Sequence, residues 1–130
     1  MYDHISLGVA DIARAARFYD PVMTALGYVR LSHNPRSVCY GPEGFTGEAP
    51  FAIVLGGSEH RSPGKGFHMA FAARERRVVD RFYEAAMAHG GVDEGPPGIR
   101  HNYNPGYYAA FVRDPDGHRL EAVVHEKVTG

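Results

Sequence analysis

Residues 4–27 read HISLGVADIARAARFYDPVMTALG, and residues 68–91 read HMAFAARERRVVDRFYEAAMAHGG. At a shift of 64 positions they share six identities without a gap. His4 falls on His68, Arg17-Phe18-Tyr19 on Arg81-Phe82-Tyr83, Met23 on Met87 and Gly27 on Gly91. Asp20 over Glu84 adds a conservative match. Self-similarity at a fixed shift marks a duplicated structural unit, here of about 60 residues.

Both copies open on the same pattern. Ile5, Leu7 and Val9 alternate with His4, Ser6 and Gly8, and Phe67, Met69 and Phe71 alternate with His68, Ala70 and Ala72. Period-two alternation predicts a strand with one buried face. A helix is expected after each. Asp11 is placed to cap the first, whose apolar positions run from Ile12 to Leu26 before Gly27. The second spans 75–89, with Val78, Val79, Phe82, Ala85 and Ala86 on its apolar stripe. Strands are expected at 28–32, 37–40 and 51–55, then at 92–94, 107–113 and 118–125. The last two form a hairpin around Asp114-Pro115-Asp116-Gly117, where Pro presets the turn and Gly accepts positive φ. Segments 41–50, 56–66 and 95–106 are rich in Gly and Pro and read as loops. The reading is one α+β domain of two tandem βαβββ modules, about 1–60 and 66–126.

Side chains two apart on a strand share a face. If Ile5, Leu7 and Val9 cover the first helix, His4 faces away from it. If Phe67, Met69 and Phe71 cover the second, so does His68. On the final strand Leu120, Ala122 and Val124 form one face, leaving Glu121 on the other. Two imidazoles and a carboxylate beside small residues make a 2-His-1-carboxylate pattern, which holds a divalent metal and leaves positions open for water or substrate. His125 shares the face of Glu121 but lies roughly 13 Å along the strand, too far to join the same ion.

Composition narrows the classes. The chain has 130 residues, 44% of them hydrophobic and 22% charged, enough to bury a core. Fourteen Lys and Arg against 15 Asp and Glu leave no basic excess for nucleic acid. Cys39 is the single cysteine, so no internal disulfide forms, and it reads as a small hydrophobe in a strand. No apolar run approaches the ~18 residues of a membrane span. The first residues do not read as a secretion signal. A soluble, cytoplasmic protein is expected. The Gly-rich stretch 56–66 is no phosphate loop, because Ser or Thr does not follow Lys65 and the Gly spacing is wrong. No Gly-x-Ser-x-Gly elbow or HExxH pair occurs. The segment from Arg100 to Tyr108, dense in His, Asn and Tyr, is placed to line a substrate mouth through His101, Asn102, Tyr103 and Tyr108. Tyr107 suits hydrogen bonding or proton transfer. Tyr40 and Arg113 are further substrate-binding candidates.

Asp3-His4-Ile5-Ser6-Leu7-Gly8-Val9-Ala10-Asp11, Arg17-Phe18-Tyr19 and Leu26-Gly27-Tyr28 resemble the opening module of the vicinal oxygen chelate superfamily, which contains glyoxalase I, extradiol dioxygenases, fosfomycin-resistance enzymes and bleomycin-resistance proteins. Phe67-His68-Met69-Ala70-Phe71 resembles its second module opening, and residues 111–123, with Asp-Pro-Asp-Gly followed by Glu121, its closing hairpin. The resemblance covers nearly the whole chain. It implies paired βαβββ modules curled into a half-barrel of mixed sheet, with helices outside. It implies a divalent metal (Fe, Zn, Ni or Mn) held at positions matching His4, His68 and Glu121, and a homodimer with modules often completed across its interface. It implies a metal-dependent lyase, isomerase or dioxygenase acting on a small substrate; Glu121, together with Tyr107 from the reading of residues 100–108 above, is a catalytic candidate. The alternatives are a metal-free drug-binding protein and a fosfomycin-resistance-like thiol transferase. Glyoxalase I takes a further carboxylate from the last strand of its first module. The matching segment here, Phe51-Ala52-Ile53-Val54-Leu55, has no ionisable residue.

Overall fold

The computed structural model describes residues 1–56 and 62–128. Eight strands and two helices follow in the order β1 (Ile5–Val9), α1 (Ile12–Ala25), β2 (Val29–Asn34), β3 (Ser37–Gly41), β4 (Phe51–Leu55), β5 (Met69–Ala72), α2 (Arg76–Ala88), β6 (Val92–Ile99), β7 (Tyr107–Arg113) and β8 (Arg119–His125). They form two four-stranded sheets, β1-β4-β3-β2 and β5-β8-β7-β6. The permutation is the same in both. The opening strand of each lies parallel to the closing one, and the other pairs are antiparallel. The duplication is therefore present as two βαβββ units, and the α+β class holds. Part of the expected connection between them, residues 57–61, lies outside the described residues.

α1 begins where its cap says it should. Asp11 is extended and its carboxylate accepts from the Arg14 amide at 2.8 Å. α1 buries Ala15, Ala16, Phe18, Tyr19, Val22 and Met23, and α2 buries Val79, Phe82 and Ala86. Rings join the two halves. Tyr19 packs on Phe51, Phe51 on Phe71 and Phe71 on Phe82, with centroids 5.4, 5.5 and 6.5 Å apart. One core thus runs through both modules.

The β7–β8 turn adds a polar clamp between modules. The Tyr19 hydroxyl donates to the buried Asp114 carboxylate at 2.5 Å. Asp116 accepts from the Ala10 amide and from Arg14, and His118 Nε2 meets the Gly8 carbonyl oxygen at 2.6 Å. Asp114 also accepts from the amides of Asp116 and His118, which shapes the turn. Gly117 completes it at φ 90°, a conformation only Gly adopts freely.

Two expectations are corrected. The sequence places a short strand at 92–94 and a loop at 95–106, whereas β6 runs on to Ile99 through two prolines and two glycines. It is an edge strand, bonded to β7 alone, so the missing Pro amides cost no inner ladder. Phe67 does not cover α2. It precedes β5 and is 46% exposed, because the ladder with β8 begins only at Met69.

Candidate functional site

β5, β7 and β8 position the reactive side chains. Ala70 lies opposite Glu121, and Glu121 opposite Phe111. Their side chains point away from α2, whereas Leu120, Ala122 and Val112 join the core. Ala70 and Ala72 are exposed, which leaves room beside them.

Glu121 is only 1% exposed, yet it is fully bonded. His68 Nε2 lies 2.7 Å from its Oε1, and the Tyr107 hydroxyl donates to its Oε2. A buried carboxylate demands such partners, since desolvation penalises the charge. Burial, together with the bond to Glu121, pushes the Tyr107 hydroxyl well above the usual tyrosine range. The Tyr107 ring is held between Tyr103 and His125, at centroid distances of 4.8 and 5.0 Å. The His68 side chain is 49% exposed and forms part of an open groove of about 310 Å³. Phe67, Tyr103, Phe111, Glu94 and Arg119 also line it.

His4 does not join this group within one chain. Among the described residues no three His, Cys, Asp or Glu side chains gather where one ion would reach them. His4 precedes β1, which belongs to the other sheet, and its ring is 48% exposed. Nδ1 bonds to Asp3 at 2.6 Å, and that bond, with Glu48 adding to it, raises the pKa of His4. Within one chain the structure brings together His68 and Glu121, with Tyr107, while His4 stands apart.

The other candidates divide. Tyr103 lines the groove, 57% exposed. His101 and Asn102 are exposed in the β6–β7 turn and do not line it. Tyr108 is turned the other way, as its place next to Tyr107 on a strand requires. Its hydroxyl donates to Asp80 of α2 at 2.6 Å, and Arg76 lies 4.6 Å from its ring centre. Tyr40 likewise faces its own helix, donating to Asp20 at 2.7 Å, and burial drives its pKa far upward. It borders a separate apolar cavity of about 160 Å³. Arg113 shares the face of Glu121 and pairs with Glu94 at 2.8 Å. Glu94, Arg119, Phe67 and Phe111 were not singled out from sequence. The period-two pattern could have found Arg119 and Phe111, which alternate in register with Glu121. Glu94 could not be found that way, because a bulge aims it: Asp93 pairs with Val112 and Gly95 with Phe111, leaving Glu94 as the extra residue.

The fold defines a class: small proteins of two βαβββ modules, each with a helix on one side of its sheet. Residues 2–122 match the family model of the Glyoxalase/Bleomycin resistance protein/Dioxygenase superfamily, and the chain belongs to that family. A glyoxalase/bleomycin resistance protein from Albidiferax ferrireducens T118 is 31% identical, with 97% of this chain and 99% of that one covered and a TM-score of 0.80. A glyoxalase-related enzyme from Fulvimarina pelagi is 26% identical over 96% and 88% of the two chains, at a TM-score of 0.71. The fosfomycin resistance protein FosX from Listeria monocytogenes shares the fold at 19% identity over 97% and 93%, at a TM-score of 0.69. A search of curated protein sequences finds no match. No helix among the described residues is long and apolar enough to cross a membrane.

Proposed function

We propose that the protein is a divalent-metal-dependent enzyme of the glyoxalase and dioxygenase type, acting on a small molecule at the Glu121–His68–Tyr107 cluster. The observation that carries this is a buried carboxylate bonded at one oxygen to an exposed imidazole, at the edge of an open groove. The donor set fits an ion. Ligand bonds of roughly 2.0–2.2 Å put neighbouring donor atoms on one ion about 3 Å apart, close to the 2.7 Å between His68 Nε2 and Glu121 Oε1. Two protein donors are too few, and His4 of a second copy of the chain supplies the third. Its exposure supports that placement. The functional unit on this reading is a homodimer.

When bound, a divalent ion supplies Lewis-acid polarisation of neighbouring substrate oxygens. The chain's own residues do the rest. His68 and Glu121 hold the ion. Tyr107 fixes the second carboxylate oxygen, so Glu121 presents Oε1 in one orientation. The Tyr107 hydroxyl stays protonated at neutral pH and donates its hydrogen bond to Glu121 Oε2. Phe111 and Tyr103 narrow the space in which substrate lies.

Metal analysis tests the proposal. Protein prepared without chelators or a nickel column is expected to carry about one transition-metal ion per chain, and His68→Ala and Glu121→Gln are expected to carry less than a tenth of that. Full occupancy in both variants, with the fold intact by circular dichroism, would discard the assignment.

A further inference from the structure

The groove carries a charge asymmetry that the cluster does not use. Arg113 and Arg119 face each other across β7 and β8 and share a single carboxylate. Glu94 Oε1 lies 2.8 Å from Arg113 Nε but 3.7 Å from Arg119 Nε. Both arginines are within ion-pair distance of Glu94, but only Arg119 lines the groove. Arg119 is therefore the guanidinium that an occupant of the groove meets, with 28% of its side chain exposed. It sits two residues from Glu121 on the same face, roughly 6–7 Å along the strand. Aromatic rings border the same space. Phe67 and Tyr103 are both large and exposed, and Phe111 lies on the groove wall. Rings left in water favour a flat apolar occupant, and a guanidinium favours a carboxylate through paired N–H donors. We propose that the groove takes a planar small molecule bearing one carboxylate, with Arg119 as the residue that selects the anion. The Glu121 carboxylate stands on the same face, and its repulsion grows with the charge of the occupant, so a monoanion is favoured over a phosphate monoester, which carries about −1.5 to −2. The assignment rests on the groove being the substrate site proposed above.

Calorimetric titration with benzoate, benzamide and phenyl phosphate tests it, on protein before and after treatment with EDTA. Wild type is expected to bind benzoate at least tenfold more tightly than benzamide in both preparations, and no less tightly than phenyl phosphate. Arg119→Gln should remove the preference by weakening benzoate tenfold while leaving benzamide within twofold. Arg119→Lys should restore part of it. Glu94→Gln should shift benzoate the opposite way, tightening it severalfold, which a merely structural role for Arg119 would not produce. Equal binding of acid and amide by wild type would overturn the inference, as would a preference untouched in Arg119→Gln or tighter binding of phenyl phosphate. A preference seen only before EDTA and insensitive to position 119 would assign selection to the metal and overturn it too. If the anion preference survives EDTA and follows Arg119 while metal analysis fails, the substrate class stands and the metal reading falls.

Discussion

A carboxylate as enclosed as Glu121 is stable only while both its oxygens are bonded, so the residues around it are coupled. Tyr107→Phe removes one bond without changing the ring, leaving Oε2 buried and unpaired. The expected loss is about 1–3 kcal/mol of stability, measured by urea denaturation near pH 7. The sign of the pH dependence follows from the raised pKa of Tyr107. Its hydroxyl contributes fully below the ordinary tyrosine value of 10 and loses that contribution as pH rises through the higher folded value. The stability advantage of wild type over Tyr107→Phe is therefore expected to be flat below pH 10 and to shrink above it. An advantage that grows above pH 10 would contradict the bond. His68 and Tyr107 stood out as residue types. The pairing of each with one oxygen of Glu121 did not, because rotamers and carboxylate orientation are set by neighbours on three strands.

At the level of elements, the β7–β8 hairpin does more than turn the chain. Asp-Pro-Asp-Gly signals a tight turn through local backbone preferences alone. What the local signal omits is that Asp114, Asp116 and His118 reach Tyr19, Ala10, Arg14 and Gly8 in the first module. Burial raises the pKa of Asp114 above its usual 3.8, against the opposing pull of Tyr19 and His118. A raised folded pKa means stability that is complete below the unfolded value and is lost as pH rises through the folded one. Relative to Asp114→Asn, wild type is expected to gain thermal stability as pH falls from 7 towards 4. Parallel melting-temperature curves for the two proteins would contradict the shift. β6 shows the converse failure of local signals. Its Gly and Pro content reads as loop, and only its edge position next to β7 makes it a strand.

At the scale of the molecule, the ring series from Tyr19 to Phe82 and the hairpin clamp tie the two modules together. The chain is expected to unfold in one transition, with tyrosine fluorescence and far-UV circular dichroism coincident in urea. Phe82→Ala should lower stability by about 3–5 kcal/mol without separating the two probes. Two staggered transitions would mean that the modules fold independently. Assembly has its own test. If His4 of one copy serves His68 and Glu121 of another, mixing and refolding His4→Ala with His68→Ala should rebuild one intact site per mixed dimer. Half of the dimers are mixed, so metal content should recover to about a quarter of wild type from near zero. No recovery on mixing would show that the third donor does not come from a second copy.

Periodicity and repetition lie along the chain, and they suffice for the two modules, both helices, the closing hairpin and the face on which His68 and Glu121 stand. Burial of apolar alternates against a helix fixes those features locally, whatever the modules do next. Which donors meet is a different matter. His4 and His68 occupy equivalent places in the repeat, but equivalence does not bring them together, because β1 and β5 are edges of separate sheets. The Glu94 bulge, the placing of Arg113 and Arg119 around that one carboxylate, and the clamp across the modules depend on strand register and on packing between residues far apart in the chain, which only the folded structure decides.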